Sequence, residues 1–164
     1  MDRVLDTAAL LHWPVEMLSG GICAPSQHDE LSRLSEARAM LLEGAAVEWQ
    51  QPMPAWLERA RHVASDSGDL PRLSSVDIDV LALALGLEAI LVTDDYRLQN
   101  AYRSHGELLP VVNAPSKQQW TWELQCTGCR QRSGVPPTVS TSKRGPVGEC
   151  DRCGSPTVVK RRRS

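Results

Sequence analysis

Five acidic residues in this 164-residue chain stand where a parallel sheet would bring them together: Asp6, Glu30, Asp77, Asp94 and Asp95. Asp6 follows the apolar pair Val4-Leu5, and Asp94-Asp95 follows an apolar run. Asp77 and Glu30 fall in the first turns of expected helices. Active sites of open parallel sheets lie beyond the carboxyl ends of the strands. Several carboxylates converging there repel one another, which indicates a bound divalent cation.

Metal ions held in this way can cleave phosphodiesters, because they polarise the phosphate, activate water and stabilise the leaving oxygen. Structural roles compete with this interpretation. Asp77 can complete a capping box begun by Ser74, Asp94 can cap the next helix, and Glu30 can be a solvated helix acid. Asp6 has no evident cap to form, which favours a function. Asp79 is expected to be an exposed acid on another helix face.

Four of the five cysteines form two close pairs near the carboxyl terminus, Cys126-x2-Cys129 and Cys150-x2-Cys153, with 20 residues between the pairs. This spacing predicts a closed, structural four-thiolate zinc site. Redox pairs are the alternative, but no thioredoxin-like context surrounds them. Few apolar residues lie nearby, so zinc is expected to supply much of the folding energy. Cys23 stands alone and is expected to be a small buried apolar residue.

Charge divides the chain at the same place. Residues 1–117 contain 17 acidic and 9 basic residues, whereas residues 118–164 contain 3 acidic and 9 basic residues. Such asymmetry indicates nucleic acid as a partner. The candidate phosphate contacts are Arg130, Arg132, Lys143, Arg144, Arg152, Lys160, Arg161, Arg162 and Arg163. Trp120 and Trp122 are expected either to stack on bases or, with more support, to pack this module on the body.

Apolar strands alternate with helical patterns and predict an α/β fold with a parallel sheet covered by helices on both faces. An expected amphipathic helix runs from Pro25 to Glu43 with Leu31, Leu34, Ala37 and Leu41 on its apolar face. Other helices are expected over 54–65, from Ser74 to a stop at Gly86, and over 96–105. The expected strands end near Asp6 or cover 45–49, 89–93 and 108–112.

The expected division is a nuclease-like domain over 1–115, a linker over 116–123, a zinc ribbon over 124–160 and a basic tail over 161–164. No segment approaches the ~20 apolar residues that cross a bilayer, and the first residues lack the plan of a signal peptide. The expected location is the cytoplasm, with no membrane partner.

The order of the motifs resembles the PIN-domain ribonucleases. The similarity rests on Val4-Leu5-Asp6-Thr7, on Pro25 with Glu30-Leu31, on Leu73-Ser74-Ser75-Val76-Asp77-Ile78 and on Leu91-Val92-Thr93-Asp94-Asp95. The resemblance implies an α/β sandwich whose acidic cluster binds Mg²⁺ or Mn²⁺ to cut RNA. Asp6, Asp77 and Asp95 would hold the metal, with Glu30 and Asp94 beside them.

With the two Cys-x2-Cys pairs, the chain looks like one branch of this family. That branch is the endonuclease that matures the 3′ end of small-subunit ribosomal RNA in archaea and eukaryotes, a PIN domain followed by a zinc ribbon. The implied partners are precursor RNA and the pre-ribosomal small subunit. Two alternatives stay open here, namely a PIN ribonuclease of toxin type acting on other RNA and a non-catalytic RNA-binding assembly factor.

Overall fold

The computed structural model describes residues 1–112, 119–142 and 144–162. A five-stranded sheet forms the body, with strand order β3-β2-β1-β4-β5 and every neighbouring pair parallel. The predicted parallel α/β fold is therefore confirmed. The strands are β1 (Arg3–Leu5), β2 (Ile22–Cys23), β3 (Glu48–Trp49), β4 (Ile90–Val92) and β5 (Leu108–Leu109).

Helices cover both faces of this sheet. Successive strand residues point to opposite faces, so each strand contributes apolar side chains to both layers. Val4 and Leu91 join one apolar cluster, whereas Leu5 and Val92 join the other. None of the helices within the described ranges combines the length and apolar character needed to span a bilayer. The helices are α1 (Thr7–His12), α2 (Val15–Leu18), α3 (Pro25–Leu34), α4 (Glu36–Leu42), α5 (Pro54–Ser67), α6 (Ser75–Leu87) and α7 (Tyr96–Tyr102).

The single helix expected from Pro25 to Glu43 is two helices. The chain breaks at Ser35, whose backbone is extended and whose side chain caps α4 by accepting from the Arg38 N–H. Leu34 and Leu41, expected on the apolar face, are 61% and 57% exposed. The break rotates α4 relative to α3, so that different residues of α4 face the core. The helices α1 and α2 were not expected from the sequence.

Gly86 does not end α6, as the sequence suggested. The helix continues to Leu87, and Glu88 ends it in the left-handed conformation with φ 51°. Glycine is required for packing, since a Cβ at Gly86 would come within 2.0 Å of the Trp56 ring. The glycine therefore permits close approach of α5 and α6.

A second, antiparallel sheet follows with strand order β7-β6-β8. Its strands are β6 (Trp122–Cys126), β7 (Arg132–Ser133) and β8 (Thr157–Arg161). Leu124, Val135 and Val147 from this part of the chain are buried in the same apolar cluster as α5 and α6. The ribbon thus obtains part of its stability from docking on the body, in addition to what a metal would supply.

Candidate active site and zinc centre

Asp6 lies at the centre of the carboxyl edge of the parallel sheet, directly after β1. Its backbone N–H donates to Val92 O on the neighbouring strand at 2.9 Å. One carboxylate oxygen accepts from the Thr7 N–H at 2.8 Å, and the other accepts from the Thr93 hydroxyl at 2.7 Å. Asp6 is therefore the N-cap of α1, a role that the sequence did not suggest.

Burial, together with the negative charges of Asp77 and Asp95, raises the pKa of Asp6 from 3.8 to about 7, although the hydrogen bonds from Thr93 and Thr7 oppose this rise. A carboxyl group with this pKa is half protonated at neutral pH unless a cation is bound beside it. Asp77 and Asp95 thus each lie near enough to act electrostatically on Asp6.

Asp77 and Asp95 are both held by helix capping. Asp77 accepts from the Ser74 N–H at 2.8 Å, and Ser74 Oγ accepts from the Asp77 N–H at 3.1 Å, which is the predicted capping box. Asp95 caps α7 by accepting from the Arg97 N–H at 2.8 Å. The expectation that Asp94 would cap this helix is wrong by one residue. Capping and proximity to Asp6 coexist, because α6 and α7 both begin at the carboxyl edge of the sheet, beside Asp6.

Asp94 and Asp79 have positions that differ from those expected. The two carboxylate oxygens of Asp94 accept from the N–H groups of Val111 and Val112 at 2.8 and 2.9 Å, which fixes the chain after β5. Asp79 is half-buried rather than exposed, and its carboxylate accepts from Ser26 Oγ at 2.6 Å. A catalytic role for Asp94 stays a prediction.

Glu30 lies on α3, half-buried, four residues after Ser26. Residues four apart share one helix face, and Ser26 contacts α6 through Asp79. Glu30 therefore lies on the side of α3 that faces the helix carrying Asp77. Its participation in catalysis stays a prediction.

Two polar residues that sequence reasoning missed organise this edge. Thr93 is fully buried and joins two acids, since its hydroxyl donates to Asp6 and accepts from the Asp95 N–H at 2.9 Å. Gln27, also fully buried, donates to Leu5 O at 2.7 Å and accepts from the Ala24 N–H at 2.7 Å. A polar residue within an apolar run, such as Thr93 after Leu91-Val92, is the signal that could have indicated this.

The acidic edge offers carboxylate oxygens, the ligand type of a hard divalent cation, although among the described residues only the four cysteines bring their ligand atoms within 4.8 Å of one another. Carboxylate oxygens are among the ligands that Mg²⁺ and Mn²⁺ prefer. A bound cation would also offset the cost of ionising the buried Asp6 beside two further carboxylates. Asp6, Asp77 and Asp95 are the residues that would hold it.

Four cysteine side chains converge at the other candidate metal centre. One sulfur atom each from Cys126, Cys129, Cys150 and Cys153 lies within 4.8 Å of every other. Zn–S bonds of ~2.3 Å place the sulfurs of a tetrahedral site about 3.8 Å apart. The N–H groups of Gly128 and Cys129 point at Cys126 Sγ at 3.3 and 3.4 Å, which stabilises a thiolate. The cluster therefore fits a structural zinc ion.

The residue after the second cysteine of each pair is left-handed, Arg130 with φ 63° and Gly154 with φ 76°. Gly128, within the first pair, is not left-handed and serves packing instead. A Cβ there would come within 2.4 Å of Ser155 Oγ. Cys23 is buried as expected, and burial raises the pKa of its thiol to about 12, so it remains a neutral thiol.

The basic residues proposed to contact RNA are exposed wherever the structure describes them. Two of them also contact side chains of the ribbon. Arg132 forms an ion pair with Glu123, and the Arg161 guanidinium lies 4.2 Å from the centre of the Trp120 ring. Lys143 and Arg163 lie outside the described residues. RNA contact by this set stays a prediction.

A buried polar joint fixes the ribbon to the body. The Asn100 side chain accepts from the Trp120 N–H and donates to Trp120 O, both at 2.7 Å, and it also donates to Asp69 Oδ2 at 2.7 Å. Asn100 and Asp69 are fully buried. Burial raises the pKa of Asp69 to about 6, although Ser67, Asn100 and Arg97 oppose the rise. This joint was not expected from the sequence.

Trp122 packs at the same joint. A Cβ at Gly68 would lie only 2.1 Å from the Trp122 carbonyl oxygen. The absence of a side chain at Gly68 therefore permits the contact between α5 and β6. The Arg97 guanidinium lies 5.3 Å from the centre of the Trp122 ring. Arg97 follows Asp95 by two residues, so the ribbon contacts the helix that carries a candidate metal ligand. These contacts favour the packing role for Trp122.

Known proteins resemble the chain over both parts. Residues 4–87 match a family described as the PIN domain of ribonuclease. The chain is 30% identical to Endoribonuclease Nob1 of Methanothermobacter thermautotrophicus, over 100% of this chain and 95% of that protein. It is 30% identical to Endoribonuclease Nob1 of Pyrococcus abyssi, over 88% of this chain and 87% of that protein. It is also 34% identical to Ribonuclease VapC1 of Thermoplasma acidophilum, over 94% of this chain and 75% of that protein.

Proposed function

Because the chain belongs to the PIN-domain family of ribonucleases, we propose that it cleaves precursor small-subunit ribosomal RNA at its 3′ end. Membership makes the chain a metal-dependent endoribonuclease, and the resemblance seen in the sequence motifs is confirmed. Activity as such follows from the family. The choice of substrate is the proposed part.

The observation that carries this choice is the two-part build. A PIN domain with a four-cysteine ribbon is the arrangement of the ribosomal branch that the motifs resemble. The similarity to Endoribonuclease Nob1 of Methanothermobacter thermautotrophicus extends over the whole chain, so it includes the ribbon.

The residues of the edge act by position and charge. When bound, Mg²⁺ or Mn²⁺ supplies phosphate polarisation and an activated water. Asp6, Asp77 and Asp95 would hold the cation, while Thr93 keeps the Asp6 carboxylate oriented through its 2.7 Å hydrogen bond. Asp95 is fixed by capping α7. Positioning by helix and strand ends keeps the ligands in place without substrate.

The ribbon would hold RNA while the acidic edge cuts it. Residues 1–117 carry an excess of eight acidic residues and would repel RNA, whereas residues 118–164 carry an excess of six basic residues. Phosphate contacts by exposed Arg and Lys give a sequence-tolerant, salt-dependent grip. Because the Asn100 joint fixes the ribbon on the body, bound RNA would be held at a constant position relative to the cutting edge.

Mapping the cut on a transcript that spans the 3′ end of the small-subunit RNA tests this proposal. We expect Mn²⁺-dependent cleavage at the mature end by the zinc-loaded chain. Asp77→Asn should abolish cleavage, whereas Asp79→Asn, two residues away on the same helix, should retain it. Cleavage at random positions by the wild-type chain, or equal cleavage by Asp77→Asn, would contradict the proposal.

A second candidate is a ribonuclease that acts on another RNA. The similarity to Ribonuclease VapC1 of Thermoplasma acidophilum, over 94% of this chain, favours it. The same experiment separates the two candidates. If an unrelated structured RNA is cut as efficiently as the ribosomal precursor and at one site, the second candidate is supported.

A further inference from the structure

An aromatic groove opens at the edge strand of the parallel sheet. The residues that line it are Pro25, His28, Asp29 and Trp49, and its volume is about 370 Å³. The rings of His28 and Trp49 meet edge to face, with centroids 5.6 Å apart and planes at 77°. Both residues are half-buried, so part of each side chain remains accessible.

The groove lies at the same edge as the acidic residues. Trp49 is the last residue of β3 and pairs with Cys23 of β2, while β2 pairs with β1. Strands lie about 4.8 Å apart, so the Trp49 backbone is roughly 10 Å from the end of β1, where Asp6 follows. Gln27, which precedes His28, donates to Leu5 O at 2.7 Å. The sheet register and the contact of α3 with β1 thus both place the aromatic pair near the acidic edge of the sheet.

The chemistry of the lining favours a neutral aromatic ring over a phosphate. The four lining residues include one carboxylate, Asp29, and no Lys or Arg, so an anion would be repelled. Every nucleobase has a flat face that can stack on an aromatic side chain, so such stacking does not depend on the base sequence. RNA is the substrate class of this family, and its bases are therefore the aromatic ligands that reach this edge.

We propose that Trp49, supported by His28, binds one nucleobase of the RNA substrate beside the cleavage site. This inference rests on the proposed RNA cleavage at the acidic edge. The ribbon would hold the phosphate backbone, and the Trp49 groove would fix the register of the strand by taking one base out of the stack. Cleavage would then occur at a defined distance from the base that is bound.

Binding of a short single-stranded RNA, measured with Ca²⁺ in place of Mn²⁺ to prevent cutting, tests the role of the ring. Trp49→Leu keeps the apolar contact with the core and removes the stacking face, and Trp49→Phe keeps a face. Stacking on one aromatic side chain corresponds to roughly 5- to 150-fold in affinity. We expect Trp49→Leu to weaken binding by at least about fivefold and Trp49→Phe to bind nearly as well as the wild type.

Trp56→Leu is the matched control. Trp56 is another half-buried tryptophan, but it packs on Gly86 near the end of α6, at the opposite end of that helix from Asp77. Its replacement should leave RNA affinity unchanged. If Trp49→Leu binds like the wild type, or if Trp49→Phe is as defective as Trp49→Leu while both retain the wild-type thermal unfolding temperature, the inference is wrong.

A scan of abasic positions identifies the bound base. One nucleotide at a time loses its base, and each RNA is tested with the wild type and with Trp49→Leu. At one position the loss should weaken wild-type binding about as much as Trp49→Leu does, and it should add nothing in the variant. Additive effects at every position would overturn the proposal.

These results also separate this inference from the proposed function. If the wild type fails to cut the ribosomal precursor at its 3′ end, the proposed substrate is wrong, while the short-RNA measurements still test the groove. If the precursor is cut correctly and Trp49→Leu cuts it with unchanged KM and at the same site, the groove has no part in substrate binding.

Discussion

Replacing Asp6 by asparagine should stabilise the metal-free protein while it abolishes function. The folded state holds the Asp6 pKa at about 7, against an ordinary value of 3.8. Ionising this buried carboxyl therefore costs about 4 kcal/mol of folding free energy at pH 7 and above. Asparagine carries no charge, so the cost disappears. One of its two acceptor oxygens is lost, which costs about 1 kcal/mol.

The sign of the pH dependence follows from proton binding. Between pH 4 and pH 7 the folded protein retains a proton on Asp6 that the unfolded chain has released, so the free energy of unfolding falls as pH rises through this window. Below pH 4 both states are protonated, and above pH 7 both are ionised. We expect Asp6→Asn to gain about 3 kcal/mol at pH 8 and less than about 1 kcal/mol at pH 5.

Urea titrations at pH 5 and pH 8 measure this difference, using zinc-loaded protein from which Mg²⁺ and Mn²⁺ have been removed by dialysis. Adding Mn²⁺ at about 100 times its dissociation constant should stabilise the wild type by about 2.7 kcal/mol, and it should leave Asp6→Asn unchanged. Asp69→Asn is the control, because Asp69 is a buried carboxyl with a raised pKa that lies outside the proposed ligand set.

Two results would refute this reasoning. If metal-free Asp6→Asn is no more stable than the wild type at pH 8, the buried charge is not the destabilising element. If Mn²⁺ stabilises Asp6→Asn as strongly as it stabilises the wild type, Asp6 is not a ligand. Asp69→Asn should keep its full response to Mn²⁺ in either case.

Three further substitutions probe the joint, the zinc turn and the helix contact. Asn100→Ala removes a hydrogen-bond partner from the buried Asp69 and from both backbone groups of the half-buried Trp120. It should lower the free energy of unfolding by about 3 kcal/mol and speed proteolysis between body and ribbon; unchanged values would exclude the joint. Arg130→Gly removes the backbone strain of a left-handed arginine and should slow zinc loss to a chelator by an amount equivalent to about 1 kcal/mol. It should also weaken RNA binding, because a basic side chain is lost; faster zinc loss would contradict the strain argument. Gly86→Ala, although alanine favours helices, should destabilise the protein by about 2 kcal/mol in urea because its methyl group meets the Trp56 ring, and a gain in stability would show that the ring can move.

Local patterns determined much of this protein. The run of apolar residues before Asp6 and before Asp94 indicates buried parallel strands, because only a sheet covered on both faces takes continuous apolar segments. Ser74 and Asp77 form the expected capping box, since it depends on residues three apart. The four cysteines meet as their spacing predicts, because each Cys-x2-Cys pair sets its own ligand geometry.

Tertiary structure decided what depends on contacts distant in sequence. Asp94 binds the backbone N–H of residue 111, whereas Asp95 caps α7. The adjacent sequence alone could not assign these two roles, because the partner of Asp94 lies 17 residues away. The break at Ser35 turns the expected apolar face of α4 outward. The Asn100 joint and the Trp49 groove each form between elements that are distant in sequence. Asn100 meets Trp120, 20 residues later, and Trp49 meets His28 of α3.

Burial explains why the chemistry of the edge was only partly visible in the sequence. The type of Asp6 and its place after a strand indicate a site, but its pKa depends on the surrounding protein and on two acids from other elements. The sequence by itself therefore determined the four-cysteine group that fits zinc, and it predicts which groups bind the catalytic metal and RNA. Folding alone determined which of these groups share one edge, because only close packing brings their charges within reach of one another.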